Sequence, residues 1–253
     1  MRQIEIEERR LLRRHTTILT MPETADEYTP RQYVALVSLA ENLLSADDFL
    51  SRFFGFRPDL LARMSGYQQY KLWEVVEQIP PLALPERTWY VPSVGDGLLS
   101  PSPRLRGMTM QQFMTVDTYA GLALYTRKES YLNRFVASLY LKDGESFVEK
   151  AGYTTPDIDV RSEEVSGIPR EERQALLTNW ALVKDWLADG YTSLFSRASA
   201  DSTEKNSKGK PVSWLRLFDA WVGDNVAFMH SYKTMECTDA LRILNRKIKE
   251  AHR

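Results

Sequence analysis

The residues of this 253-residue chain that have the chemistry for catalysis or metal binding each have a competing use in a fold. His15, His230 and His252 stand far apart, and no HExxH or CxxC spacing surrounds them, so no pattern supports a metal centre. Cys237 is the sole cysteine. It falls on one apolar line with Leu241, Leu244 and Ile248, which predicts a buried packing residue and excludes an internal disulfide. Asp157 and Asp159 form a DxD pair, the arrangement that holds a divalent metal in nucleotide-sugar transferases. Pro156 beside it and the lack of an α/β pattern favour a loop instead. Glu163-Glu164 and Glu171-Glu172 supply carboxylates, and helix-dipole complementarity explains them better than acid–base work. Gly95-Asp96-Gly97 is an isolated turn rather than GxGxxG. Gly209-Lys210-Pro211 lacks the P-loop spacing, and no GxSxG elbow occurs. No catalytic residue, metal site or cofactor is expected.

Two groups call for a sharper hypothesis. The final helix carries Arg242, Arg246, Lys247, Lys249 and Arg253 against only Asp239 and Glu250, a possible basic face for nucleic acid or an acidic partner. The competing use is plain: cations complement a helix C-terminus. The second group is aromatic. Trp180, Trp186, Trp214 and Trp221 all lie in the last third. Tryptophan is enriched at interfaces, so Trp186, Trp214 and Trp221 are candidate partner contacts.

These residues must be positioned by helices. Thr29 reads as an N-cap and Pro30 as a first helical residue, followed by Tyr33, Leu36, Val37, Ala40, Leu43 and Leu44 on an amphipathic stripe. Ser45 opens a short helix with Phe49, Leu50, Phe53 and Phe54 that Gly55 can stop. Ser65 and Gln68 have capping-box spacing ahead of Leu72, Trp73, Val76 and Ile79, and Pro80-Pro81 end that helix. Thr109 and Gln112 repeat the spacing for a helix to about Leu124, and another runs from about Glu129 to Leu141. Pro169 opens a long helix whose buried line is Leu176, Trp180, Val183 and Leu187, and two further helices finish the chain. In residues 1–28, Ile4, Ile6 and the segment 15–20 suggest a hairpin, although EERRLLRR could instead begin a helix. The organisation predicted is thus an extended N-terminal segment 1–28 and a helical core 29–141 with a proline-rich connector 80–107, where Trp89–Val91 could form a brief strand. A loop 142–168 and a helical region 169–253 with a flexible loop 197–210 follow. The fold class is mainly α with minor β.

Composition bounds the rest. With 43% hydrophobic and 26% charged residues and a formal net charge of −1, the chain is an ordinary globular one. It is neither disordered nor uniformly basic. Its first residues contain no apolar signal core, and no run approaches a membrane span. A cytoplasmic protein without a membrane partner is expected.

Three stretches resemble tailed-phage and prophage morphogenesis proteins, in particular tail-assembly-chaperone-like ones. They are MPETADEYTPRQYVAL (21–36), LRGMTMQQFMTVDTYAGL (105–122) and YLNRFVASLY (131–140). Phe113, Asp117 and Tyr119 mark the first helix of the similar arrangement, and Leu132, Phe135 and Ala137 the second. The resemblance covers residues 20–141. It implies a non-enzymatic assembly or structural protein in the host cytoplasm or the virion. Such a protein would bind tail components or itself, for example by holding a helical tape-measure partner soluble. The alternative is a helical nucleic-acid-associated protein that uses its basic last helix.

Overall fold

The computed structural model describes residues 1–10, 13–149, 151–195, 214–223 and 226–251; for residues 4, 6–10, 13–15, 58, 215, 216 and 226 it describes the backbone alone. The expected loop 197–210 and Arg253 lie outside the described residues. Eleven α-helices and two small two-stranded sheets are present among them, so the protein is mainly α with a minor N-terminal β element. The chain divides into two compact units, Met1–Tyr90 and Val91–Arg253. This boundary falls inside the proline-rich connector.

The first unit opens with a β-ribbon. Strand β1 (Arg2–Arg10) pairs antiparallel with β2 (Arg13–Met21), with Arg2 opposite Met21 and Arg10 opposite Arg13. The described residues of EERRLLRR, 7–10 and 13–14, therefore lie in strands rather than in a helix. Alternation along β2 buries Leu19 and Met21 and leaves Ile18 exposed, the period-two pattern of a strand with one covered face.

Helix α1 (Pro30–Ala40) begins with a complete capping box between Thr29 and Gln32, and ends four residues before Leu44. Asn42 at φ 57° turns the chain there. Helix α2 (Ala46–Phe54) is capped by Ser45 and stopped by Gly55 at φ 73°, and it buries Phe49, Leu50, Phe53 and Phe54. A short α3 (Pro58–Arg63) precedes α4 (Gly66–Val76), whose Ser65–Gln68 capping box is also complete.

Residues 77–90 return without forming a strand at Trp89–Tyr90. They are held by side chains: Tyr28 Oη donates to Pro80 O at 2.5 Å and Tyr90 Oη to Ala83 O at 2.6 Å. The Arg87 guanidinium donates to Tyr28 O, and the Tyr33 and Tyr90 rings stack with centroids 4.0 Å apart. Met21, Tyr28 and Tyr33, all within the 21–36 stretch, are buried in this unit.

The second unit begins with a tight hairpin, β3 (Ser93–Val94) and β4 (Leu98–Leu99), turning through Gly95-Asp96-Gly97, where both glycines take positive φ. Helices α5 (Met110–Thr126) and α6 (Glu129–Leu139) pack together. Thr109 caps α5, but the Gln112 side chain turns inward to donate to Ser138 O at 3.1 Å instead of closing a capping box. The expected loop 142–168 contains a helix, α7 (Ile158–Ser166), because Asp157 caps it and Arg161 and Val165 are buried. Helix α8 (Arg170–Gly190) buries Leu176, Trp180, Val183 and Leu187 as its periodicity requires. Helices α9 (Trp214–Val222), α10 (Met229–Thr234) and α11 (Cys237–Ala251) complete the unit. Cys237 N donates to Met108 O and Met110 N to Met235 O, both at 2.8 Å, which stitches the start of α11 to the start of α5.

Candidate functional site

A concentrated set of polar contacts in the second unit is built around Asp117, midway along α5. The apolar face of α5 turns Phe113 and Val116 into the core, and the next position places a carboxylate at the edge of that core. Helix α8 brings Trp180 and, one turn later, Lys184; α9 brings Trp214. Asp117 Oδ1 accepts the Trp180 indole N–H at 3.0 Å. Its Oδ2 accepts Trp214 Nε1 at 2.6 Å and Lys184 Nζ at 2.9 Å.

The ammonium is also surrounded by rings. Its nitrogen lies 4.4 Å from the Phe195 centroid, 5.4 Å from Trp214 and 5.7 Å from Phe113, distances at which aromatic faces attract a cation. The side chains of Asp117 and Lys184 are only 13% and 24% exposed. Three donors occupy most of the acceptor capacity of this carboxylate, and the ammonium neutralises it. The arrangement therefore acts as a polar brace joining α5, α8 and α9.

A more open arrangement lies at the start of α8. A cavity of about 570 Å³ is lined by Asp96, Lys142, Glu164, Ile168 and Glu172 among others. Lys142 Nζ and Glu164 Oε2 pair at 3.2 Å. Glu172 is half-buried, and burial pushes its carboxyl above the usual carboxylate range. A neighbouring cavity of about 400 Å³ includes Arg106, Gln112, Lys142 and Glu145 in its wall. Glu145 there receives the buried Arg161 guanidinium.

The carboxylates singled out by sequence have local uses. Asp157 Oδ1 accepts from Asp159 N at 3.0 Å and Val160 N at 3.1 Å as the cap of α7, while Asp159 pairs with Arg134 at 2.9 Å. Glu163 lies exposed on α7, and Glu171 stands in the first turn of α8. Among the described residues, no three His, Cys, Asp or Glu side chains come together as a metal site would need. No described helix is long and apolar enough to cross a membrane.

Two of the three candidate interface tryptophans are interior. Trp214 is 2% exposed and Trp221 6%. Trp214 packs edge-on against Phe113 and Trp221 edge-on against Phe218, while the Tyr232 ring lies tilted against Trp221. An interface through either ring would have to open this unit, because apolar periodicity spent both on the core. Trp186 is half-buried, with the Arg104 guanidinium 5.1 Å from its ring.

Three of the basic residues, Arg242, Arg246 and Lys249, share one outward side of α11. Cys237, Ala240, Leu241 and Leu244 face inward, while Arg242, Arg246, Lys247 and Lys249 are exposed. Arg242 pairs with Asp239 at 2.8 Å.

Periodicity gives no reason to single out Lys184, and the sequence marked Glu172 only as one of two carboxylates in the first turn of a helix. The available signal for Lys184 was a cation one helical turn from a buried tryptophan, at the margin of an apolar line, where burial demands a counter-charge. Comparison with family models, curated proteins and solved structures gives no match.

Proposed function

We propose that this chain is a non-enzymatic assembly or structural protein of a tailed phage or prophage, acting by protein–protein binding in the manner of a tail assembly chaperone. The observation that carries the binding reading is the outer side of α4 in the first unit. Tyr67 and Tyr70 are 69% and 59% exposed, and the Lys71 ammonium stands 5.7 and 6.0 Å from their ring centroids. Residues three apart share a helix face; Lys71 is itself paired with Glu74 at 2.5 Å, so the exposed tyrosines are the anchors, and they suit the apolar positions of a partner helix. The phage context rests on the resemblance of residues 20–141. The matched stretches build cores: Tyr28 and Tyr33 in the first unit, Phe113, Leu132 and Phe135 in the second.

The test is co-expression with the helical tape-measure product of the gene cluster that encodes the chain. The wild type is expected to keep that product soluble, and Tyr67→Ser with Tyr70→Ser to lose the effect. A gene far from any morphogenesis cluster, or a tape-measure product whose solubility the chain does not change, overturns the proposal.

The exposed cations of α11 favour one second reading, nucleic-acid association. Arg242, Arg246 and Lys249 follow i, i+4, i+7 spacing on one face, with Lys247 beside them. Binding to duplex DNA would then fall steeply with salt as counterions compete. Affinity unchanged after neutralising all four residues ends that reading.

A further inference from the structure

The cavity of about 400 Å³ in the second unit is walled by residues from 99–108 and 139–145, together with Gln112 of α5 and Tyr153. A main-chain bridge ties the first two stretches together. Leu99 N donates to Leu141 O at 2.8 Å, and Leu141 N to Leu99 O at 3.1 Å. The wall is thus held by backbone pairing, and the volume lies in the range of small-molecule sites.

Gln112 gives this cavity its chemistry. The residue is 6% exposed, and its amide nitrogen donates to Ser138 O at 3.1 Å and Leu139 O at 3.5 Å. Two carbonyls claim the NH2 group, so the amide oxygen Oε1 must face the other way. That oxygen accepts no hydrogen bond from the described residues, yet it is not sealed from solvent. Because Gln112 lines the cavity, the oxygen opens into it. An almost wholly buried acceptor left without a protein donor favours a ligand that brings one.

The other polar groups of the wall divide into spent and open. Glu145 receives the Arg161 guanidinium on one oxygen and Lys142 N at 2.7 Å on the other. The Lys142 ammonium is paired with Glu164. The guanidinium of Arg106 and the hydroxyls of Ser100 and Ser102 have no partner among the described residues. Leu99 and Tyr153, 48% and 45% exposed, add uncovered apolar surface.

We propose that this cavity binds a small aliphatic carboxylate that carries an amino or hydroxyl group beside its carboxyl: an amino acid or a hydroxy acid. The carboxylate meets the Arg106 fork, whose geometry matches it, and the two serine hydroxyls supply further donors. The amino or hydroxyl group donates to Gln112 Oε1. The aliphatic part covers Leu99 and Tyr153. One open cation beside the carboxylates of Asp143 and Glu145 suits a single negative charge, whereas a phosphate or a dicarboxylate would meet repulsion. This site is separate from the tyrosines of α4. Acid binding and tape-measure solubility can each fail without the other.

A ligand-observed NMR titration of the full chain tests it with three acids of one carbon skeleton: L-leucine, L-leucic acid and isocaproate, which bear an amino group, a hydroxyl and no donor. At least one of the first two is expected to bind with a dissociation constant of about 1 mM or below. The tighter of the two identifies the donor. Isocaproate is expected to bind about threefold or more weakly. Arg106→Met keeps the stem and removes the fork, and should weaken binding about tenfold or more without changing the far-UV circular dichroism. Gln112→Met removes Oε1 and should erase the gap between the donor-bearing acid and isocaproate.

No binding of L-leucine or L-leucic acid up to about 10 mM overturns the proposal. So does isocaproate binding as tightly as either, or a folded Arg106→Met whose affinity is unchanged. Glycerol binding in preference to the acids overturns the carboxylate as ligand. If Gln112→Met does not fold, Arg106→Met and the three acids on the wild type decide the matter.

Discussion

Replacing Asp117 by alanine removes one acceptor from three helices at once. The lost contacts are the indole N–H groups of Trp180 and Trp214, at 3.0 and 2.6 Å, and the Lys184 ammonium at 2.9 Å. A hydrogen bond to a charged group contributes about 1.5–3 kcal/mol net. Lys184 can swing toward water, so its share is discounted to about 1 kcal/mol or less. Trp180 and Trp214 are each 2% exposed and have no such escape. D117A should therefore cost about 3–5 kcal/mol. D117N keeps the shape but only one acceptor oxygen, so its amide NH2 meets at least one of the three donors and it should cost about 2–4 kcal/mol. K184M leaves both indole bonds in place and should cost about 1–2 kcal/mol.

Urea unfolding followed by tryptophan fluorescence suits the measurement, because four of the six tryptophans, Trp180, Trp186, Trp214 and Trp221, belong to this unit, with Trp73 and Trp89 in the other. Far-UV circular dichroism checks that the transition is shared. If D117A falls within about 0.5 kcal/mol of the wild type, the size of a neutral surface change, the brace does not hold the helices together. If K184M costs as much as D117A, the ion pair rather than the indole bonds carries the node.

Other perturbations test separate parts of the fold. Burial pushes the Cys237 thiol up to about 12, so Ellman's reagent at pH 8 should leave the native protein unmodified and react fully once it is denatured; rapid native reaction would contradict the burial. Burial raises the folded pKa of Glu172 above the ordinary carboxyl value. It binds its proton more tightly in the folded state, so its contribution to stability falls as pH rises from that value through the folded pKa. Glu172→Gln should accordingly raise the urea midpoint at pH 7 and leave it unchanged near pH 4; equal shifts at both would refute desolvation as the cause. Thr29→Ala removes the acceptor for Gln32 N at 3.2 Å and should lower stability by about 1 kcal/mol, read as a lower melting temperature.

Local signals that need only neighbouring residues were legible in the sequence. The Thr29–Gln32 and Ser65–Gln68 caps, the Gly55 stop and the buried line of α8 all depend on spacing within a few turns, and each appears as read. Gln112 shows the limit. Its spacing from Thr109 suits a capping box, yet a carbonyl at Ser138, 26 positions away, competes for the same amide. Helix α7 was hidden because its apolar content is thin and its inward residue Arg161 is charged. Only the partner Glu145, brought back by the loop between α6 and α7, makes that burial tolerable. The tryptophans show a related limit. Residue type marks Trp214 and Trp221 equally for interface or core, and the difference lies in which neighbours arrive.

By itself, then, the sequence determined the class of fold, the capped starts of α1, α2, α4 and α5, the buried line of α8 and the run of cations on α11. These follow from short-range hydrogen bonding and from the helical repeat. Tertiary structure decided what depends on distant segments meeting. It set the division at Tyr90, the aromatic clasp on residues 77–90 and the joining of Asp117 to Trp180, Lys184 and Trp214. It also left Glu172 half-buried in one cavity and the Gln112 oxygen open to another. A carboxylate, an indole or an amide has the same intrinsic chemistry wherever it stands in the chain. What it does is fixed by the donors, rings and water that packing places around it.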